Sequence, residues 1–352
     1  MSRPNHASRA HKVYHAGKRH MELIASVSRS SGLEKDGDAL RDFKVQEEYR
    51  AFIEDKLQDY WKQYRDDANK VASKKQREDV EGNLLILFRK LREGLLSTKR
   101  TDTFALEVYE TSLHLSILFN SPGQTTSIIT HLLPHLYSSF TELPSTTRST
   151  ALLSLLHCLV SGYPSQSRFF EHMATLPDAF VPKKSEQGRW IAALACSLRT
   201  RNYTRLYNLT ENKTLVTLLP QSLPDCPPKS EVTHTLSQDN SSNGPRHLAR
   251  DALFTLIDNL RSKARNTTSL VLRSAYRELH CDISSKGTTG TVSPTCHWLC
   301  RSLALPSVSP EYVDDDTVVF LIDKWLQEKR AAEEIRPKEG VEGRWILCKV
   351  KA

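Results

Sequence analysis

No apolar run in the 352 residues approaches the roughly 20 that a membrane-spanning helix needs. The first twenty residues hold no apolar stretch of the signal-peptide kind, so no secretory signal is expected. Three matches to the Asn-x-Thr glycosylation pattern, at Asn202, Asn208 and Asn212, therefore read as coincidence, and the seven cysteines read as reduced thiols. There is no phosphate-cradling P-loop, no Gly-x-Gly-x-x-Gly and no Gly-x-Ser-x-Gly nucleophile elbow. No base and orienting acid stand out beside a serine or cysteine among the 13 histidines, and Cys-x-x-Cys is absent. Catalysis has no motif behind it, and neither a cofactor nor a small-molecule substrate is expected.

What the chain has is charge and helical periodicity. The net charge is +8, with a pI near 9.0, which suits an anionic partner. It is unevenly spread. Arg3, Arg9, Lys12, Lys18 and Arg19 precede any acid, and residues 101–160 carry four acids against Arg148 alone. Residues 246–286 are basic again through Arg246, Arg250, Arg261, Lys263, Arg265, Arg273, Arg277 and Lys286.

The run from Phe104 to Tyr137 holds two amphipathic patterns separated by Asn120-Ser121-Pro122-Gly123. Leu106, Tyr109, Leu113 and Ile117 share one face of the first. Ile128, Ile129, Leu132, Leu133, Leu136 and Tyr137 share one face of the second. Neither helix buries such a stripe alone, so the pair predicts a stacked helical array. Further helices are predicted from Leu40 to Asn69, over Val80 to Leu95, and over 149–160, 167–175, 186–199 and 203–219. Past a Pro- and Ser-rich stretch come 248–262, 269–279, 294–303 and 315–332. A Gly-bearing turn then leads to a strand over 344–350.

The domain reading is thus a disordered basic tail over 1–38, a helical-repeat domain over 39–219, a linker or inserted loop over 220–247, and a module over 248–352. Helices followed by a late hairpin are the sequence pattern of a winged-helix domain. The expected fold is mainly α.

Three stretches carry a family likeness: Phe104-Ala-Leu-Glu107-Val-Tyr109-Glu110 with Tyr137 closing the helix pair; Ala193 to Tyr207, with Asn202-Tyr203 at its turn; and Leu272 to Leu279, including Tyr276, followed by Trp298 to Leu303. In these the chain resembles the GANP / Sac-three branch of the PCI family, scaffold subunits related to those of the proteasome lid, the signalosome and initiation factor three. The resemblance covers about residues 80–350. It implies a helical-repeat superhelix with a C-terminal winged helix. It also implies pairing with another PCI-domain subunit through the winged-helix edge, and nuclear work in mRNA processing or export on RNA or DNA. The alternative is an assembly subunit of a lid-, signalosome- or initiation-factor-like complex without nucleic-acid contact, which would allow a cytoplasmic location.

As single residues, Tyr109, Tyr203 and Tyr276 read as packing residues with bonded hydroxyls, and Glu107 and Glu110 as a solvated or capping face. Phosphate contacts are expected from Lys263, Arg265, Arg273, Arg277, Lys286, Arg344, Lys349 and Lys351. Pro294–Leu303 stands as recognition helix by position, offering His297 and Arg301. His280, Cys281, Cys296, His297 and Cys300 could enclose zinc, but Cys296 and Cys300 fall four apart on one predicted helix and read as core thiols, so no metal is expected.

Overall fold

The computed structural model describes residues 18–27, 39–64, 74–218, 248–281, 292–308 and 313–349. The expectations for 1–17, for 28–38, for the whole 220–247 linker, and for Lys286 and Lys351 lie outside these residues. The described part is mainly helical, with thirteen helices and one three-stranded sheet. None of its helices is long and apolar enough to cross a membrane. The chain divides into two compact units, Met1–Ser112 and Leu113–Ala352.

In the first unit, α1 (Lys18–Leu23) lies within the stretch expected to be disordered, yet Met21 and Ile24 are buried there and Lys90 bonds the Ile24 carbonyl. Helices α2 (Phe43–Tyr64) and α3 (Lys74–Ser97) pack lengthwise. Tyr49, Phe52, Ile53, Leu57 and Tyr60 form the buried stripe of α2, and Leu84, Phe88, Leu91 and Leu95 that of α3. Asp42 caps α2 through the Lys44 and Val45 amides, and Asp102 caps α4 (Thr103–Leu118) through that of Ala105. Between these caps the Arg100 guanidinium lies 4.7 Å from the Phe43 ring and 4.2 Å from the Phe104 ring while bonding Glu47 and Asp102.

Gly94 permits the closest approach in this unit. A Cβ there would meet the Leu40 carbonyl oxygen at 2.7 Å and its Cβ at 2.9 Å. Since backbone cannot yield as a side-chain tip can, Gly94→Ala should destabilise the unit by about 2 kcal/mol despite the better helix propensity of alanine. A urea melt of the variant checks this, and an unchanged midpoint would refute the tight contact.

In the second unit, α6 (Thr147–Gly162) is the central helix. Leu152, Leu153, Leu155, Leu156 and Leu159 are buried, and α5 (Pro122–His131), α7 (Ser167–Thr175), α8 (Glu186–Arg199) and α11 (Leu248–Ala275) pack around it. The pattern expected to run on to Tyr137 stays buried, but its backbone leaves the helix at Leu133 (φ −116°, ψ 122°), because Pro134 disfavours helical geometry in the residue before it. The helix expected over 203–219 is broken into α9 (Tyr203–Leu209) and α10 (Asn212–Leu218). The two expected over 248–262 and 269–279 are one helix, α11, whose polar middle costs little because Ala264, Thr268 and Leu272 continue the buried stripe and the Thr268 hydroxyl bonds the Ala264 carbonyl. The end of the second expected helix is instead strand β1 (Glu278–His280).

After β1 come α12 (Pro294–Ser302), α13 (Asp315–Ala331), β2 (Ile335–Pro337) and β3 (Arg344–Leu347), the last shorter than the strand expected over 344–350. The sheet order is β1-β3-β2, antiparallel throughout. Leu272, Leu279, Leu299, Ile322, Trp325, Ile335 and Leu347 form its core, with Cys281, Cys296 and Cys300.

Candidate interaction surface

Among the described residues, the positions expected to hold phosphate do not form one patch. Arg265 donates to the Leu303 and Ala304 carbonyls at 3.0 and 2.8 Å, closing the C-terminal end of α12. Arg273 donates to the Cys348 carbonyl at 2.9 Å and pairs with Glu334, which Lys329 also holds. Both guanidiniums thus serve internal acceptors. Arg277 and Lys349 are exposed near Arg273, since the Leu347 amide bonds the Arg277 carbonyl. Arg344 lies at the other end of β3, 3.8 Å from Glu278, whose carboxyl the Lys338 ammonium holds below the usual range. Arg301 is exposed on α12, and Lys263 lies away from the sheet, bonding the Val160 carbonyl at the end of α6.

The family-motif residues divide as well. Tyr137 is fully buried and donates to Thr150 at 2.9 Å. Tyr109 is buried, its hydroxyl 3.4 Å from the Arg92 carbonyl. Glu107 is exposed and takes both ends of the Arg50 guanidinium, at 2.7 and 3.2 Å, while Glu110 is half-buried. Asn202 caps α9 by accepting from the Arg205 amide, and Tyr203 is half-buried behind it. Tyr276 departs from the packing role expected for it. It is 47 % exposed and meets Trp298, 39 % exposed, edge to face at 5.8 Å.

This aromatic pair adjoins a sheet edge. The Arg277 carbonyl bonds the Leu347 amide, and the Cys281 amide bonds the Gly343 carbonyl. Antiparallel alternation then turns the main-chain groups of Glu278 and His280 away from β3. The opposite edge is β2, where Pro337 removes a donor. Among the described residues, β1 is the edge that keeps both of its outward donors.

Beneath it the thiols are core groups. The Cys281 pKa is raised by its hydrogen bond with Cys296 and by burial, and burial pushes Cys300 up to about 11, so neither of these two is thiolate at neutral pH. Among the described residues, no three of His, Cys, Asp and Glu come together in a way that could hold a metal ion.

Charge alone does not reveal the role of Arg261. It is 3 % exposed, donates to Thr210 and to the Pro306 carbonyl, and its ring neighbour is Tyr207 at 5.4 Å. Its signal was register: it sits between Ile257 and Ala264 on the buried stripe of α11. No protein-family model matches the chain, and no curated protein matches it.

Proposed function

We propose that the protein is a non-catalytic scaffold subunit of the PCI type, as its likeness to the GANP / Sac-three branch implies, and that its C-terminal module is a winged helix that pairs with another PCI-domain subunit. The observation that carries this reading is the open β1 edge beside the exposed Tyr276–Trp298 pair. The order helix, β1, helix, helix, β2, β3 supports the winged-helix assignment. In that assignment α13, rather than Pro294–Leu303, takes the recognition position, because it directly precedes the hairpin. Its first turn carries Asp315 and Asp316, and its exposed apolar residue is Phe320. An acidic helix start repels phosphate. With Arg265 and Arg273 engaged internally, this module favours assembly over nucleic-acid contact. The family context would put the complex in nuclear mRNA processing or export.

The test is affinity purification of the whole chain with mass spectrometry of its partners. A PCI-domain subunit should co-purify in stoichiometric amount. It should be lost from His280→Pro, which removes an outward amide while leaving the Cys281 and Arg277 bonds to β3, and from the Tyr276→Ala, Trp298→Ala double variant. Retention by both variants with unchanged melting curves would sink the proposal.

A further inference from the structure

Two clefts lie side by side where the end of α6 runs along the middle of α11. One, of about 420 Å³, is bordered by Val160 and Lys263; the other, of about 370 Å³, by Tyr163 and Thr267. The two bordering pairs sit on successive turns, each tied across the seam. Lys263 donates to the Val160 carbonyl at 2.5 Å, and the Tyr163 hydroxyl to Thr267 at 2.8 Å. The clefts therefore follow one line, and each is open to solvent at Lys263 or at Phe170, whose ring is 46 % exposed.

Their chemistry is one-sided. Lys263, Arg199 and Arg201 are among the lining residues, and no described lining residue is acidic. Arg199 and Arg201 are exposed and form no ion pair with a described residue. Gln166 donates its amide to the Ala195 carbonyl, but its Oε1 is buried without a donor. A buried acceptor of this kind lacks one N–H partner. Arg201 also holds a left-handed backbone, φ 51°, at the tight turn between α8 and α9, where glycine or asparagine would sit without strain.

We infer that this seam binds an extended acidic peptide segment of a partner protein. Carboxylates would pair with Arg199, Arg201 and Lys263, a main-chain amide would satisfy Gln166, and an apolar side chain would cover Phe170. Three cations spread over two clefts, with a single exposed ring, match a peptide better than a nucleic-acid strand, which calls for a continuous basic track and successive stacking rings. The inference is independent of the winged-helix reading, since it uses neither the sheet nor its edge.

The experiment pans random peptides displayed on phage against the whole chain and measures the enriched peptide by calorimetry. Enrichment of Asp and Glu around one apolar residue is expected. Affinity should fall at least about tenfold, or about 1.4 kcal/mol, in the Arg199→Glu, Arg201→Glu double variant. Arg201→Gly should weaken binding as well while raising the melting temperature, because it relieves the left-handed strain, and this separates lost contact from lost fold. Recovery of no peptide, of peptides without acids, or of one whose affinity ignores all these changes would overturn the inference. So would displacement by mixed-sequence single-stranded RNA that binds the same arginines more tightly.

Discussion

Arg261→Met should cost the second unit about 3–5 kcal/mol, the largest loss expected of any single change in the protein. The guanidinium is desolvated, which lowers its pKa, yet it stays charged because arginine's ordinary value lies far above neutral pH. Nε reaches the Thr210 hydroxyl at 2.8 Å, one Nη the Thr210 carbonyl at 2.6 Å, and the other Nη the Pro306 carbonyl at 3.1 Å. These acceptors belong to the turn between α9 and α10 and to the segment after α12. Methionine would fill the volume but leave them buried without donors, each at a penalty of about 1–3 kcal/mol.

The same segment is fixed at two further points. Asp258 accepts from the Ser307 hydroxyl and the Val308 amide, and Asn212 donates to the Val308 carbonyl. Arg261→Lys should recover only part of the loss, since a single ammonium cannot span three acceptors set at guanidinium angles. Denaturant midpoints measure the effect, and limited proteolysis after Pro306 should accelerate in both variants. A methionine variant within about 1 kcal/mol of wild type would show that the buried charge is not what holds the turn.

The parts of this fold that the sequence foretold are those decided within one or two helical turns. The stripes Leu106, Tyr109, Leu113, Ile117 and Ile128 to Tyr137 are buried as read, because 3.6-residue periodicity and burial are two faces of one constraint. The parts that escaped depend on partners far along the chain. Nothing near Thr210 announces that Arg261, 51 residues on, will take its carbonyl and break the helix there. Nor does Glu278–His280 reveal that it will pair with Arg344–Ile346 rather than extend α11. The basic residues after 246 were legible as charge, but whether each meets solvent or a carbonyl is settled by tertiary contacts, as Arg265 and Arg273 show. Phe170 carries no motif, and Arg201 is legible only as part of the Ala193–Tyr207 stretch; the fold alone sets the two around one cleft.

Acidification from pH 7 to 4 should remove several kcal/mol of stability before most carboxylates titrate, and buried histidines, His114 and His157 foremost, are the cause. Burial lowers both His114 and His157 from the ordinary 6.5 to about 4, with His172 and Lys263 adding to the effect at His157. The His114 Nε2 is buried with no hydrogen-bond partner. At His157, Nε2 faces the Thr126 hydroxyl at 2.9 Å, and that hydroxyl already donates to the Pro122 carbonyl. The imidazole must therefore be the donor there, so a second proton has to enter at Nδ1, on a ring that is 6 % exposed. Unfolding frees both rings to titrate near 6.5. Between about 6.5 and 4 the unfolded chain binds more protons, so stability falls as the pH falls; the contribution is complete above 6.5 and lost below 4. A shift of this size corresponds to about 3 kcal/mol for each histidine, against the 5–15 kcal/mol that typically holds a domain. His157→Gln keeps an amide donor for Thr126 and carries no titrating ring. Urea denaturation from pH 7 to 4 should show its stability falling about half as steeply as wild type, with His114→Gln flattening most of the remainder and the rest belonging to His172, which burial also lowers. Equal slopes in all three proteins would assign the acid sensitivity to carboxylates instead.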